Sequence, residues 1–157
     1  MDATFYTTNI VPQAPHCNQR AWERLEEYCR ELTRDGHVLW IAAGPAGVGG
    51  EGKDGVKKEI GKEGLEVTVP AKVWKVILVL PNDKAEPTRA TRAIAVIMPN
   101  TQEIVYDWAR HRVSVAEVEK LTGFRFWPNL PEELAKDLKA RTDEVKVRTP
   151  QPKKDQE

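Results

Sequence analysis

Asn18, Glu26 and Arg30 bring an amide, a carboxylate and a guanidinium into one short segment of the chain. On a helix advancing about 100° per residue, with Trp22 set at zero, Asn18 falls about 40° to one side and Glu26 about 40° to the other, with Arg30 about 40° further round. The three head groups therefore follow one edge of an apolar stripe made by Trp22, Leu25 and Cys29. An amide oxygen and a carboxylate are hard ligands suited to Mg²⁺, which keeps most of its waters. An Arg one turn further on suits a phosphate group. The same residues also have a plain structural use: Asn18 as a helix N-cap, and Glu26 with Arg30 as an ordinary i, i+4 pair.

The element that must position these groups is a helix over residues 19–34, in which Trp22, Leu25, Cys29 and Leu32 repeat at helical spacing and Gly36 stands where a C-terminal cap belongs. Before it, the β-branched and aromatic residues 4–11 predict a strand that Pro12 and Pro15 end. After it, residues 37–43 predict a buried strand. Residues 44–64 hold eight of the ten glycines among many charges and predict a long exposed loop or loose hairpin. Three more strands are expected over 67–69, 74–80 and 92–98. Ser114 with Glu117 has the form of a capping box and opens a short helix that ends at Gly123. An amphipathic helix over 131–141 follows, and the polar residues after Val147 predict a disordered tail. The sum is one mixed α+β unit over residues 1–147, with a tail over 148–157. A strand opening at residue 4 has nothing before it to pair with. Either it pairs with a later strand or a segment is missing upstream.

Composition narrows the possibilities. The 157 residues are the size of one domain, 40% apolar and 31% charged, as in a globular protein. Twenty-four Lys and Arg balance 24 Asp and Glu, which excludes a bulk basic charge but not a local basic patch. No apolar run approaches the ~20 residues of a membrane-spanning helix. Met1-Asp2-Ala3-Thr4 shows neither the basic start nor the apolar core of a signal peptide. Cys17 and Cys29, roughly 18 Å apart on the expected helix, exceed the ~7 Å limit for a disulfide and are expected as separate, at least partly buried thiols. Gly47-x-x-x-x-Gly52-Lys53 approaches a P-loop, but Asp54 stands where Ser or Thr would hold Mg²⁺. Residues 54–64 lack the apolar stripe of the helix that must follow, so a flexible loop is expected there.

The order of residues carries a further signal. Phe5-Tyr6-x-x-Asn9-Ile10-Val11-Pro12-Gln13, then Asn18-Gln19-x-Ala21-Trp22-x-x-Leu25-Glu26, then Arg30, resembles the DNA/RNA non-specific endonucleases, the ββα-metal nucleases. The Pro15-His16-x-Asn18-Gln19 version looks most like their endonuclease G branch. The resemblance continues through Gly44-Pro45, Val69-Pro70, Trp74-Lys75-Val76, Met98-Pro99-Asn100, Leu121-Thr122-Gly123-Phe124 and Pro128-Asn129, from residue 5 to about 130. It implies a role for each position. Asn18 would be the one direct protein ligand of a hydrated Mg²⁺ or Mn²⁺, and Glu26 would hold a metal-bound water. Arg30 would stabilise the scissile phosphate, while Asn9 and Gln13 would shape the site. In the implied mechanism the metal bridges the phosphate and the leaving 3′ oxygen, and a base-activated water attacks phosphorus. Contacts made to phosphates carry no sequence information, which accounts for non-specific cutting.

The departure from the family is equally specific. Its members carry an Asp-Arg-Gly-His motif shortly upstream, on the first strand of the metal finger, and that His is the general base. The motif is absent from these 157 residues. Arg34-Asp35-Gly36-His37 permutes it, but lies roughly 24 Å along the helix from Asn18, whereas a base must come within ~3 Å of its proton or act through one water. His37 is expected in a capping turn, His16 as a structural histidine, and His111, between Arg110 and Arg112, in a solvated basic patch. The resemblance therefore implies the ββα-metal fold with its N-terminal part missing. It implies a metal-dependent endonuclease for DNA and RNA in a truncated form that lacks its general base. The alternative is a catalytically inactive nucleic-acid-binding or interaction module on the same scaffold. The expected partners are DNA and RNA through their phosphates, with no membrane. The family includes homodimers as well as monomers, and a chain without a targeting segment leaves its compartment open.

Overall fold

The computed structural model describes residues 10–147. Most of the strand expected over 4–11, with Asn9, and the tail over 148–157 lie outside the described residues, and residues 10–14 carry no regular secondary structure. The chain turns helical at residue 15, passes through a π-helical turn, Cys17–Trp22, and continues as α1, Glu23–Arg34. The helix thus starts four residues earlier than expected at residue 19. Pro15 suits a first turn, where its missing N–H is not needed, and the Asn18 N–H already donates to Ala14 O at 3.0 Å. Asn18 is inside the helix and not its N-cap.

A four-stranded antiparallel sheet follows, in the order β1–β6–β7–β8, formed by Val38–Ala46, Lys72–Leu80, Arg92–Pro99 and Arg112–Val113. Between β1 and β6, the glycine-rich stretch makes two small hairpins: β2, Gly50–Gly52, with β3, Gly55–Lys57, and β4, Glu59–Ile60, with β5, Val67–Thr68. No helix follows the P-loop-like glycines, as expected.

One face of the sheet presents Val73, Ile77, Val79, Ile94, Val96 and Met98; the π-helical turn packs there through Ala21, and α1 through Leu25, Cys29 and Leu32. The opposite face presents Trp74, Val76 and Ala95 to Val115 and Val118 of α2, Val115–Thr122. Beyond α2 lies α3, Glu132–Ala140, with Ala135 and Leu138 buried. The capping box at Ser114 and Glu117 forms in both directions, and Gly123 closes α2 at φ 76°, in the left-handed region that glycine enters without a Cβ penalty. The mixed α+β expectation holds. Cys17 and Cys29 are buried free thiols.

One strand corrects its expectation. The segment 37–43, expected buried, forms part of β1 at the edge of the described sheet, with Trp40 48% and Ile41 49% exposed. A short apolar run is compatible with either position, and pairing decides between them. The central strand is β6, buried throughout after Lys72.

The C-terminal segment is tied down by a charge network invisible in the pattern. Arg92 donates from Nε and Nη2 to both oxygens of buried Asp143, each at 2.8 Å, and from Nη1 to the Tyr28 hydroxyl on α1 at 2.6 Å. Arg112 donates from Nη1 to Asp143 at 3.1 Å. Burial by itself would raise the Asp143 carboxyl, but the two guanidiniums outweigh it and hold the group below the usual carboxylate range. A carboxylate held low when folded contributes stability above its unfolded pKa and loses it as pH falls through the folded value. Asp143→Asn should therefore cost about 2–4 kcal/mol near neutral pH, because it leaves two facing cations uncompensated. The melting-temperature gap to the parent should begin to narrow as the pH drops below the ordinary Asp value of roughly 4, and close as it falls through the lower folded value, where the parent's own carboxylate takes up its proton. Thermal melts of both proteins across that range check it; a gap that stays constant would falsify the assignment.

Candidate active site

A cleft of about 420 Å³ opens where the start of the helix crosses the β1 edge of the sheet. Its lining includes Gln13 from the segment before the helix and Asn18, Trp22 and Glu26 from successive helical turns. Ile41, Ala43 and Gly44 contribute from β1, and Val73 and Lys75 from β6. The pairing Ala43↔Lys75 puts Ile41, Ala43, Val73 and Lys75 on the sheet face that carries the helix. Ala43 is the small side chain of β1 on that face, and Gly44 lines the cleft with backbone alone. At Gly44 the backbone is pressed from the other face by Trp74, whose indole donates to Pro45 O at 3.1 Å. A Cβ at Gly44 would stand 2.8 Å from that ring, so no larger residue fits without displacing it.

The helix brings Asn18 and Glu26 to the same cleft despite its π-helical turn, where the angular step is smaller than in an α-helix. Gln13 joins them, and its Oε1 is buried without a hydrogen-bond donor among the described residues. Asn9 lies outside the described residues. Arg30 does not line the cleft: its Nε donates to Glu27 at 2.7 Å on the solvent side of α1. The i, i+4 pairing of Glu26 with Arg30 is thereby replaced. Arg30 and Arg34 hold the Glu27 carboxyl below its ordinary value through their hydrogen bonds, and Glu27 raises Arg30 in return.

Glu26 takes another partner. Lys75 Nζ lies 3.3 Å from Glu26 Oε1 and 4.2 Å from the centre of the Trp22 ring, and its side chain is only 6% exposed. An ammonium held between a carboxylate and an indole face is a combined ion-pair and cation–π arrangement. Sequence reasoning gave Lys75 no role. The available signal was a lysine within the otherwise apolar run Val73-Trp74-Lys75-Val76-Ile77, where burial obliges a charge to have a partner.

The three histidines are engaged elsewhere. His16 Nδ1 lies 2.9 Å from Gln102 O and 3.3 Å from the Tyr106 hydroxyl, with its ring edge-on to Tyr106. His37 Nδ1 lies 3.2 Å from Leu32 O in the turn after α1. His111 Nε2 is 2.8 Å from Val105 O, so its ring is bonded to backbone and not simply solvated. None of them lines the cleft. Next to Asn18, burial pushes the Cys17 thiol up to about 11, which leaves it protonated and unreactive.

Among the described residues no three His, Cys, Asp or Glu side chains group as metal ligands. The cleft's donors are of another kind: the Asn18 amide, the Glu26 carboxylate and the orphaned Gln13 oxygen. The Asn18 amide and the Glu26 carboxylate fit a hydrated hard cation, with Gln13 beside them in the lining.

Comparison with known proteins places the chain among nucleases. The family profile described as DNA/RNA non-specific endonuclease matches residues 1–133. A nuclease of Nostoc sp. is 40% identical over 144 residues, which cover 90% of this chain and 49% of the relative. Human mitochondrial endonuclease G is 35% identical over 135 residues, 83% of this chain and 43% of the relative. A nuclease of Serratia marcescens is 32% identical over 141 residues, 87% of this chain and 48% of the relative. The chain spans about half, or less, of the length of these relatives. Its antiparallel sheet and three helices are consistent with the ββα-metal nuclease fold. A profile match over most of the chain, with relatives that agree along the same stretch, establishes that the chain belongs to the DNA/RNA non-specific endonuclease family.

Proposed function

We propose that the cleft is the metal-dependent phosphodiesterase site of a sequence-non-specific nuclease acting on DNA and RNA. The observation that carries this reading is the convergence of Gln13, Asn18 and Glu26, from a loop and two helical turns, on one open cleft that holds a buried oxygen without a donor. Asn18 would hold Mg²⁺ or Mn²⁺ directly and Glu26 would hold it through water. A bound divalent ion supplies positive charge against the phosphate and the leaving oxygen. Gln13 orients water in the cleft, and Asn9 would shape the site from the preceding segment. Arg30 releases Glu27, an exposed partner that costs little to leave, and turns to the phosphate, which it can grip with two parallel N–H bonds. Contacts confined to phosphate leave the bases unread.

Among the described residues no imidazole lines the cleft: His16, His37 and His111 are all bonded away from it. The same observation favours a second reading, a nucleic-acid-binding module on the nuclease scaffold. Supercoiled plasmid with Mg²⁺ separates the two. General-base catalysis is worth on the order of 10²–10⁴-fold, so the 157-residue chain should nick plasmid slower by that factor than a family member carrying Asp-Arg-Gly-His. Rapid, EDTA-sensitive nicking that survives His16→Ala would show that a base is present after all.

The metal is tested separately, by titrating Mn²⁺ in a calorimeter or by paramagnetic broadening. With one neutral direct ligand the ion stays mostly hydrated, so binding should be weak and should favour Mg²⁺ and Mn²⁺ over Zn²⁺. Asn18→Ala should lose on the order of tenfold or more in Mn²⁺ affinity, and Glu26→Gln, acting through water, less than that. Arg30→Ala should leave Mn²⁺ affinity unchanged and weaken DNA binding. Undiminished Mn²⁺ binding by Asn18→Ala would remove the metal site from this helix.

A further inference from the structure

The one cation lining the cleft among the described residues is Lys75, and the roles given to Asn18, Glu26 and Arg30 leave it without a task. We infer that Lys75 is a substrate-binding residue whose ammonium donates to a non-bridging oxygen of a nucleic-acid phosphate entering the cleft. The inference rests on the phosphodiesterase reading and adds a second phosphate contact to it.

Three observations support it. First, the position is costly for a lysine. A 6%-exposed ammonium on the central strand has given up most of its water, and a long 3.3 Å contact to one carboxylate oxygen replaces only part of it. Second, the ammonium has three N–H donors. Glu26 takes one and the Trp22 ring covers a second direction at 4.2 Å, so a third is left over on a residue that lines the cleft. Third, charge balance demands it. Glu26 is the carboxylate of the cleft lining, and alone it would repel a phosphodiester. Paired with Lys75 it presents no net charge, so a phosphate can enter and share the same ammonium. Arg30, engaged with Glu27 outside the cleft, meets the phosphate only after a side-chain rearrangement, whereas Lys75 is already in place.

The test is direct binding of the 157-residue chain to a short fluorescein-labelled single-stranded DNA, read by anisotropy in EDTA over a range of salt. Without a divalent ion, neither cleavage nor metal affinity enters the measurement. Lys75→Met should weaken binding on the order of tenfold and flatten the dependence of log affinity on log salt by about 0.7, the loss of one single-strand phosphate contact. Lys75→Arg, which keeps the charge, should recover part of both. Should Lys75→Met fail to show a cooperative melt, Lys75→Gln carries the same comparison. Glu26→Gln should bind more tightly than the parent, because a repelling charge is gone. Within the Glu26→Gln background Lys75→Met should still cost on the order of tenfold. Loss of the Lys75 effect in that background would mean that Lys75 acts only by holding Glu26, and would overturn the assignment. Binding that Arg30→Ala weakens and the Lys75 variants leave untouched would also overturn it, with the phosphodiesterase reading intact. No binding by the parent would overturn both.

Discussion

The side chain of Asn100 sets the geometry on which the cleft depends. It is 2% exposed just beyond β7, and each of its polar groups is hydrogen-bonded inside the protein. Its Oδ1 accepts the Ala14 N–H at 2.6 Å, while its Nδ2 donates to Pro12 O at 3.1 Å and Pro70 O at 2.8 Å. Its backbone N–H reaches Ala71 O at 2.9 Å, and its carbonyl receives Glu51 N–H at 2.8 Å. One residue thus joins the helix entry, the strand before β6 and the glycine-rich hairpins. Prolines at 12 and 70 leave carbonyls that no regular ladder serves, and an orphaned buried carbonyl costs ~1–3 kcal/mol. Gly50 belongs to the same knot, since a Cβ there would stand 2.5 Å from Asn100 Nδ2. The consequence travels along the chain: Asn100 fixes Ala14, Ala14 O receives the Asn18 N–H, and Gln13 and Asn18 are thereby set in the cleft lining.

Two ionic arrangements divide the remaining work. The Asp143 network is closed: both carboxylate oxygens meet guanidiniums, and the Tyr28 hydroxyl completes the set, so it fastens the C-terminal segment to β7, β8 and α1. The Glu26–Lys75 pair is open: one long contact, an indole on one side and the cleft on the other. A closed buried network favours one conformation, whereas a half-satisfied one is tolerated where a ligand completes it. Gln13, whose Oε1 is the one buried side-chain atom among the described residues without a hydrogen-bond partner, lines the same cleft as the open pair.

How much of this could be read from residues follows from what each signal depends on. The helix, the capping box, the three central and C-terminal strands and the association of Asn18 with Glu26 rest on local spacing, and spacing survives in the fold. The start of the helix did not, because Pro12-Gln13-Ala14-Pro15 looks like a breaker until the tertiary bonds of Asn100 are known. The place of β1 depends on which strands pair, which an apolar run of seven residues does not encode. Arg30 had acidic residues at both Glu26 and Glu27, and helical spacing allows either; Lys75 decided the matter by claiming Glu26 from a strand 49 positions away. Lys75 and Asp143 share the same obscurity. Lys75 stands out in its apolar run and Asp143 does not, but for both only the long-range partner reveals what the charge does.

The location of the cleft at a sheet edge is itself part of its chemistry. In the middle of the sheet, α1 covers Ile77, Val79 and Ile94 with a dry apolar layer that admits no phosphate. Toward β1 the covering side chain shrinks to Ala43, and the layer parts just where Lys75 follows Val73 on the same face. Gly44, paired with Trp74, would turn a Cβ to the opposite face, where the indole leaves it no room. Trp74 in turn packs against Phe124 and Phe126, beyond the end of α2. The half of the molecule that carries no candidate catalytic group thus packs the far side of the strands that line the site. On their near side a helix edge with an amide and a carboxylate meets a buried ammonium at one cleft.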